Sequence, residues 1–160
     1  SVMIEECKLK GLNAQCIDIA DEKQKYDAIV SIFDVLNFMN KDNLSAFLNS
    51  VANCLEDDGV FIADINTLYG FSDVAEGTMS KETDKEFLIV DAEFHDNKLN
   101  TQFTLFEKNS SHYIKHQDII IQYFHKIQFF QKLDKLKLVD KQTFSLYDTQ
   151  DKTLLIFKKK

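Results

Sequence analysis

Leu44, Phe47, Leu48, Val51, Ala52 and Leu55 recur at i, i+3, i+4, i+7, i+8 and i+11. That is one apolar stripe, and it predicts an amphipathic helix with Asp42 or Asn43 placed to cap its start. On either side the spacing changes. Tyr26 to Ile32 is a nearly continuous apolar run, as expected of a strand buried in a parallel sheet. Val60 to Ile65, following the helix-ending Asp57-Asp58-Gly59, is another. Strand, helix and strand with short connections predict a parallel βαβ unit. Upstream, residues 2–10 have helical spacing, with Met3 and Cys7 on one side, Ser1 in a capping position and Gly11 where a left-handed C-cap belongs. Ala14 to Ile19 reads as a short strand.

Beyond residue 66 the pattern becomes β-rich. Glu86 to Phe94 and Leu99 to Lys108 are strand-like runs joined by the hairpin-turn sequence His95-Asp96-Asn97-Lys98. Asn109-Ser110-Ser111 turns the chain into a third run, His112 to Phe124. Alternation sets Phe103, Leu105, Ile119, Ile121 and Tyr123 on one face and Gln102, Thr104, Asp118 and Gln122 on the other, with Ile120 out of step. A sheet with one buried and one wetter face is predicted. Residues 127–135 have helical spacing with Phe129, Phe130 and Leu133 on one side, and Leu136 to Phe144 and Thr153 to Phe157 read as two closing strands. No repeat, low-complexity stretch or linker divides the chain. The expectation is a single α/β domain over residues 1–160 with an inserted antiparallel meander at residues 86–124.

Composition narrows the partners. Among 160 residues there are 26 acidic and 19 basic side chains, every basic one a lysine, and the net charge is −7. A nucleic-acid backbone calls for a clustered basic face and favours the bidentate arginine fork, so no nucleic-acid partner is expected. The run Lys158-Lys159-Lys160 reads as a solvated tail. No apolar run approaches the roughly 20 residues that span a bilayer, and no signal-peptide pattern is read at the start, so no membrane partner is expected either. Cys7, Cys16 and Cys54 sit in apolar patterns and match no zinc spacing and no disulfide framework. Buried free thiols in the cytoplasm are the expectation.

In open α/β sheets ligands bind beyond the carboxyl ends of the strands. Three such ends carry polar side chains: Asp18-Ile19, Phe33-Asp34-Val35-Leu36-Asn37 and Asp64-Ile65-Asn66-Thr67. A single strand-end aspartate is ordinarily a turn former or a helix cap. Three at successive ends, on one edge of the sheet, point to a polar ligand crevice. His112 and His116 are four apart, but in a β-rich run, and no metal site is expected.

The run Tyr26-Asp27-Ala28-Ile29-Val30, then Phe33-Asp34-Val35-Leu36-Asn37-Phe38, then the helix, then Leu55-Glu56-Asp57-Asp58-Gly59-Val60-Phe61-Ile62-Ala63-Asp64 resembles the middle of a class I S-adenosylmethionine-dependent methyltransferase. In that family a strand of this type leads into an active-site turn, and a helix and a glycine-bearing strand entry follow. The opening Ser1-Val2-Met3-Ile4-Glu5-Glu6-Cys7 is similar to the helix that follows the family's ribose-binding strand end. The meander, His125 and the closing strand pair resemble a bacterial small-molecule subgroup. The resemblance covers nearly the whole chain. It implies a Rossmann-like sheet, mostly parallel with an antiparallel C-terminal hairpin, and S-adenosyl-L-methionine as cofactor.

The resemblance also implies what is missing. The family's first strand, its Gly-rich loop and its ribose-binding acid have no counterpart here, where four glycines are scattered singly. The chain is therefore expected to be a fragment or processed product lacking a strand, helix and strand of on the order of 30 residues or more. On its own it is expected to bind the cofactor weakly or not at all.

Carried over by position, Asp18 is the acceptor for the adenine amino group, with Ile19 beside the ring. Phe33 and Asp34 form the turn beneath the cofactor, next to the transferred methyl. Asn37, Asn66 and Tyr123 are the candidates for substrate binding. Core packing stands as the alternative for Phe33, and a helix cap for Asn37. Methyl transfer from a sulfonium is a direct displacement in which the protein aligns the partners and takes up a proton. His125 and Asp34 are the catalytic candidates, His125 as general base; a hydrogen-bonded structural histidine is the alternative. The meander is expected to pack as a lid over the ends carrying Phe33, Asp34 and Asn66, with homodimerisation as the alternative use of its surface. Methyl transfer to a small-molecule acceptor is the functional expectation. A non-catalytic, methyltransferase-derived binding or assembly module is the alternative.

Overall fold

A computed structural model describes residues 2–160; Ser1 and its expected capping role lie outside the described residues. Helix α1 (Val2–Leu9) closes as its sequence predicts. Gly11 takes φ 74°, the Leu12 amide donates to the Cys7 carbonyl at 3.0 Å, and the Gly11 amide donates to Lys8 at 2.9 Å. These are the paired bonds of a Schellman cap. The strand expected over 14–19 is not present. Residues 12–18 are irregular, since among the described residues no strand lies alongside to take their backbone groups. Asp18 instead turns the chain, its carboxylate accepting from the Ala20 amide at 2.9 Å.

Strand β1 (Tyr26–Ser31), a 3₁₀ turn (Val35–Phe38), helix α2 (Lys41–Cys54) and strand β2 (Leu55–Asn66) follow, with β1 parallel to β2. The α2 stripe lands where its period puts it: Leu44, Leu48, Val51 and Ala52 are buried against β2 residues Leu55, Phe61, Ala63 and Ile65. Asn40, not Asp42 or Asn43, caps the helix by accepting from the amides of Asp42 at 3.1 Å and Asn43 at 2.9 Å. A cap residue needs extended backbone, and Asn40 has ψ 171° while both candidates are already helical. Between the Tyr26–Leu55 and Ala28–Val60 pairs, β2 bulges. Asp58 there has φ 63°, and a Cβ on Gly59 would stand 2.8 Å from the Glu56 carbonyl oxygen, so only glycine fits.

The chain leaves β2 through a π-helical turn (Gly70–Ala75) into β3 (Gly77–Glu82), β4 (Glu86–His95), β5 (Lys98–Asn109) and β6 (His112–Tyr123), an antiparallel sheet in sequence order. Both turns fall where predicted, with Asp96, Asn97 and Ser110 at φ 51°, 60° and 48°. The strand β3, exposed along its length, carried no alternation to announce it. The predicted faces are corrected by the register. Gln102 pairs with Ile119 and Phe103 with Asp118, and directly paired residues share a face. Phe103 therefore lies with Asp118 and Ile120, while Ile119 and Ile121 point to solvent.

The helix expected over 127–135 is one turn, α3 (Ile127–Phe130), enough to bury Phe130. Lys135 must already be extended, because its carbonyl accepts from the Lys160 amide at 2.9 Å. Strands β7 (Leu136–Phe144) and β8 (Lys152–Lys159) form the closing antiparallel hairpin. The first sheet has the order β1-β2-β8-β7, so its parallel part is the single pair β1–β2. Lying at the edge, β1 is largely exposed rather than buried as its apolar run predicts. Of the three cysteines only Cys54 is buried; Cys7 is half-buried and Cys16, in the irregular segment, is exposed. A second, smaller apolar cluster ties the antiparallel sheet down: the Phe71 ring stacks on Phe94 at 5.3 Å and meets Phe124 edge-on at 6.1 Å.

Candidate active site

Because β1 and β2 run parallel, their carboxyl ends deliver residues 33–37 and 64–66 to one edge. Phe33 and Asp34 turn the chain there with φ 65° and 50°. Left-handed backbone costs a side-chain-bearing residue roughly 1–2 kcal/mol, so two in succession must be held in place. The Asp34 amide is held by Asp64 Oδ2 at 3.1 Å. Its carboxylate accepts from Lys152 Nζ at 2.6 Å, Gln122 Nε2 at 2.6 Å and Asn66 Nδ2 at 3.4 Å.

Lys152 opens β8 opposite Asn66 and is 2% exposed. Its ammonium sits between two carboxylates, 2.6 Å from Asp34 and 3.5 Å from Asp64. The preceding residue fixes this placement. The Asp151 carboxylate accepts from the Leu146 and Tyr147 amides at 2.7 and 2.8 Å, and its carbonyl accepts from the Thr67 amide at 2.9 Å. Burial raises the Asp151 carboxyl, but the amides outweigh it and hold the group below the ordinary aspartate value. Gly70 lies so close that a Cβ would come 2.4 Å from the Asp151 carbonyl oxygen. Asp64 Oδ1 is buried with no hydrogen-bond partner among the described residues.

The antiparallel sheet meets this turn through its last strand. Asn37 is fully buried; its Oδ1 accepts from the Asn66 amide at 2.9 Å and its Nδ2 donates to the Tyr123 carbonyl at 2.8 Å. Two residues on, the buried His125 places Nε2 3.0 Å from the Met39 carbonyl. A carbonyl can only accept, so Nε2 carries the proton and the ring's lone pair lies on Nδ1. Burial holds the His125 pKa below the ordinary histidine value, against the upward pull of the Met39 and Leu36 carbonyls.

Six sequence-predicted residues thus gather at one edge: Phe33, Asp34, Asn37, Asn66, Tyr123 (through its backbone) and His125. Phe33 is 66% exposed, so it is not core packing, and Asn37 caps no helix. Asp18 and Ile19 are not brought to this edge. The Ile19 carbonyl accepts from Cys54 Sγ at 3.7 Å, and Ile19 lines a cavity of about 310 Å³ with Tyr26, Ala28 and Cys54, at the amino end of β1. Without a strand at 14–19, no strand end carries them across. Lys152 and Gln122 were missed. Lys152 reads locally as a solvated residue closing a polar turn, and Gln122 as part of a wet face; only the pairing of β8 with β2 and the docking of β6 bring them in.

This arrangement of sheets has solved counterparts. The chain matches a S-adenosylmethionine-dependent methyltransferase from Clostridium acetobutylicum with a TM-score of 0.77 and 22% identity, over 96% of this chain and 68% of that one. For the CcbJ methyltransferase from Streptomyces caelestis the TM-score is 0.73 and the identity 12%, over 98% and 70%. For CalS10, an amino pentose methyltransferase from Micromonospora echinaspora, they are 0.68 and 11%, over 99% and 70%. No protein-family model and no curated protein matches the sequence. The chain has the Rossmann-like methyltransferase fold with an added antiparallel sheet.

Proposed function

We propose that the chain takes part in methyl transfer from S-adenosyl-L-methionine to a small-molecule acceptor, at the edge where β1 and β2 end. The observation that carries this is the polar cluster of Asp34, Asn37, Asp64, Asn66 and Lys152 at the carboxyl edge of the parallel pair, in this fold. The residues fit the cofactor's chemistry. The exposed ring of Phe33, flanked by exposed Ile32 and Val35, offers apolar surface to a purine or a methylene chain, and the unpartnered Asp64 Oδ1 offers an anionic acceptor nearby. When bound, the cofactor supplies a methyl group activated on a positively charged sulfur.

The chain's own residues align and balance charge. Lys152 offsets one of the two carboxylates, leaving the cluster formally negative where a positive sulfur is to be held. Asn37 ties the antiparallel sheet to the turn. This reading assigns His125, whose ring lone pair lies on Nδ1, the uptake of a proton from the acceptor. The proposal rests on this edge cluster and not on Asp18 or Ile19. Titration of the isotope-labelled chain with S-adenosyl-L-methionine should shift the amide resonances of residues 33–38 and 64–67, and Phe33→Ala should weaken the response. Because the chain alone is expected to bind weakly, the titration is carried to a large excess of cofactor, and shifts confined to residues 17–29 there would discard the proposal. A second reading is a non-catalytic, methyltransferase-derived binding or assembly module. Cofactor binding without turnover of any amine or hydroxyl acceptor would favour it.

A further inference from the structure

A second concavity, of about 620 Å³, lies between α2 and the 124–136 segment and contains none of the Asp34–Lys152 cluster. The half-buried Phe124, Phe129 and Leu133 give it an apolar wall. Its rim is cationic: Lys41, Lys126, Lys132 and Lys135 line it, against a single acid, Asp134. In a chain of net charge −7 this reverses the local sign. Lys135 donates to Asn53 Oδ1 at 3.0 Å, while Lys41, Lys126 and Lys132 make no ion pair among the described residues.

We propose that this concavity binds an amphiphilic organic anion, a phosphate ester whose apolar body lies on the Phe124–Phe129–Leu133 wall and whose phosphate meets the lysine rim. Several point charges on flexible stems suit a multiply charged phosphate, whose oxygens accept in many directions. Elsewhere the acidic surface repels the same anion, so the field concentrates it at this mouth. An apolar wall adds affinity that inorganic phosphate cannot use. This reading is independent of the methyl-transfer site.

Naphthyl phosphate is the probe, with naphthol (body without charge) and inorganic phosphate (charge without body) as the other arms, each titrated calorimetrically against the full chain. Naphthyl phosphate should bind about tenfold or more tightly than either, and weaken as salt rises from about 50 to about 300 mM. The double variant Lys41→Glu/Lys132→Glu should bind it about tenfold more weakly, with Lys81→Glu, on the exposed strand β3 and outside the concavity, unchanged. Should the double variant lose the native melting transition, Lys41→Gln/Lys132→Gln keeps the test, with a loss of about threefold. Equal binding of naphthol or of inorganic phosphate, or undiminished binding by the folded variants, overturns the proposal.

Discussion

Lys152 holds two carboxylates together in a place where water cannot substitute for it. Lys152→Met keeps the volume but leaves Asp34 and Asp64 facing each other. A buried charge stripped of its partner costs about 3–5 kcal/mol, and urea midpoints should fall accordingly. Adding Asp64→Asn removes one of the stranded charges and should recover a good part of the loss. An Arg at this position is no conservative exchange, since its planar fork is larger than the space around a 2%-exposed ammonium. His125 sets a pH dependence. Its folded pKa lies below the unfolded value of about 6.5, so on acidification the unfolded chain takes up the proton first. Its contribution to stability is complete above that value and is lost as pH falls below it. Denaturant melts at about pH 7.5 and 5.5 should differ more for the native chain than for His125→Gln, whose amide still donates to Met39 but does not titrate.

At the scale of elements, local periodicity carried the reading as far as local forces reach. The α2 stripe and the β4–β5 and β5–β6 turns were legible because spacing and turn chemistry are properties of neighbouring residues. The faces of β6 were not, because a partner strand decides which residues lie opposite. The 14–19 segment has strand-like composition without a neighbour, and composition alone cannot supply hydrogen bonds. Candidate residues at the ends of β1 and β2 followed from the parallel pair itself, whereas Lys152 and Gln122 depended on contacts 118 and 88 residues away in sequence. Asn37 joins these elements. Asn37→Ala would strand the Asn66 amide and the Tyr123 carbonyl, both bonded to its side chain. A loss of about 2–3 kcal/mol is expected. Hydrogen exchange at Asn66 should accelerate in that variant well beyond its effect on β7.

For the molecule as a whole, two apolar clusters divide the chain, the larger under the first sheet and the smaller, around Phe71, at the base of the second. The far end of the second sheet, including residues 107–117, is exposed throughout. Opening free energy should follow that division, with amides at 107–117 exchanging early and those of Leu155 and Phe157 only on global unfolding. The contact of Phe71 with Phe124 has a consequence for how this excursion can change over generations. Phe71 and Phe124 flank it and touch, so the 52 residues between them form a loop already closed at its neck. Closure entropy grows only logarithmically, by about 0.6 kcal/mol for each doubling of length. Inserting several glycines and serines at Asn109–Ser111 should therefore leave the thermal midpoint nearly unaltered, whereas Phe71→Ala, which opens the neck, should lower it clearly. The tip is free to drift in length while the neck is not.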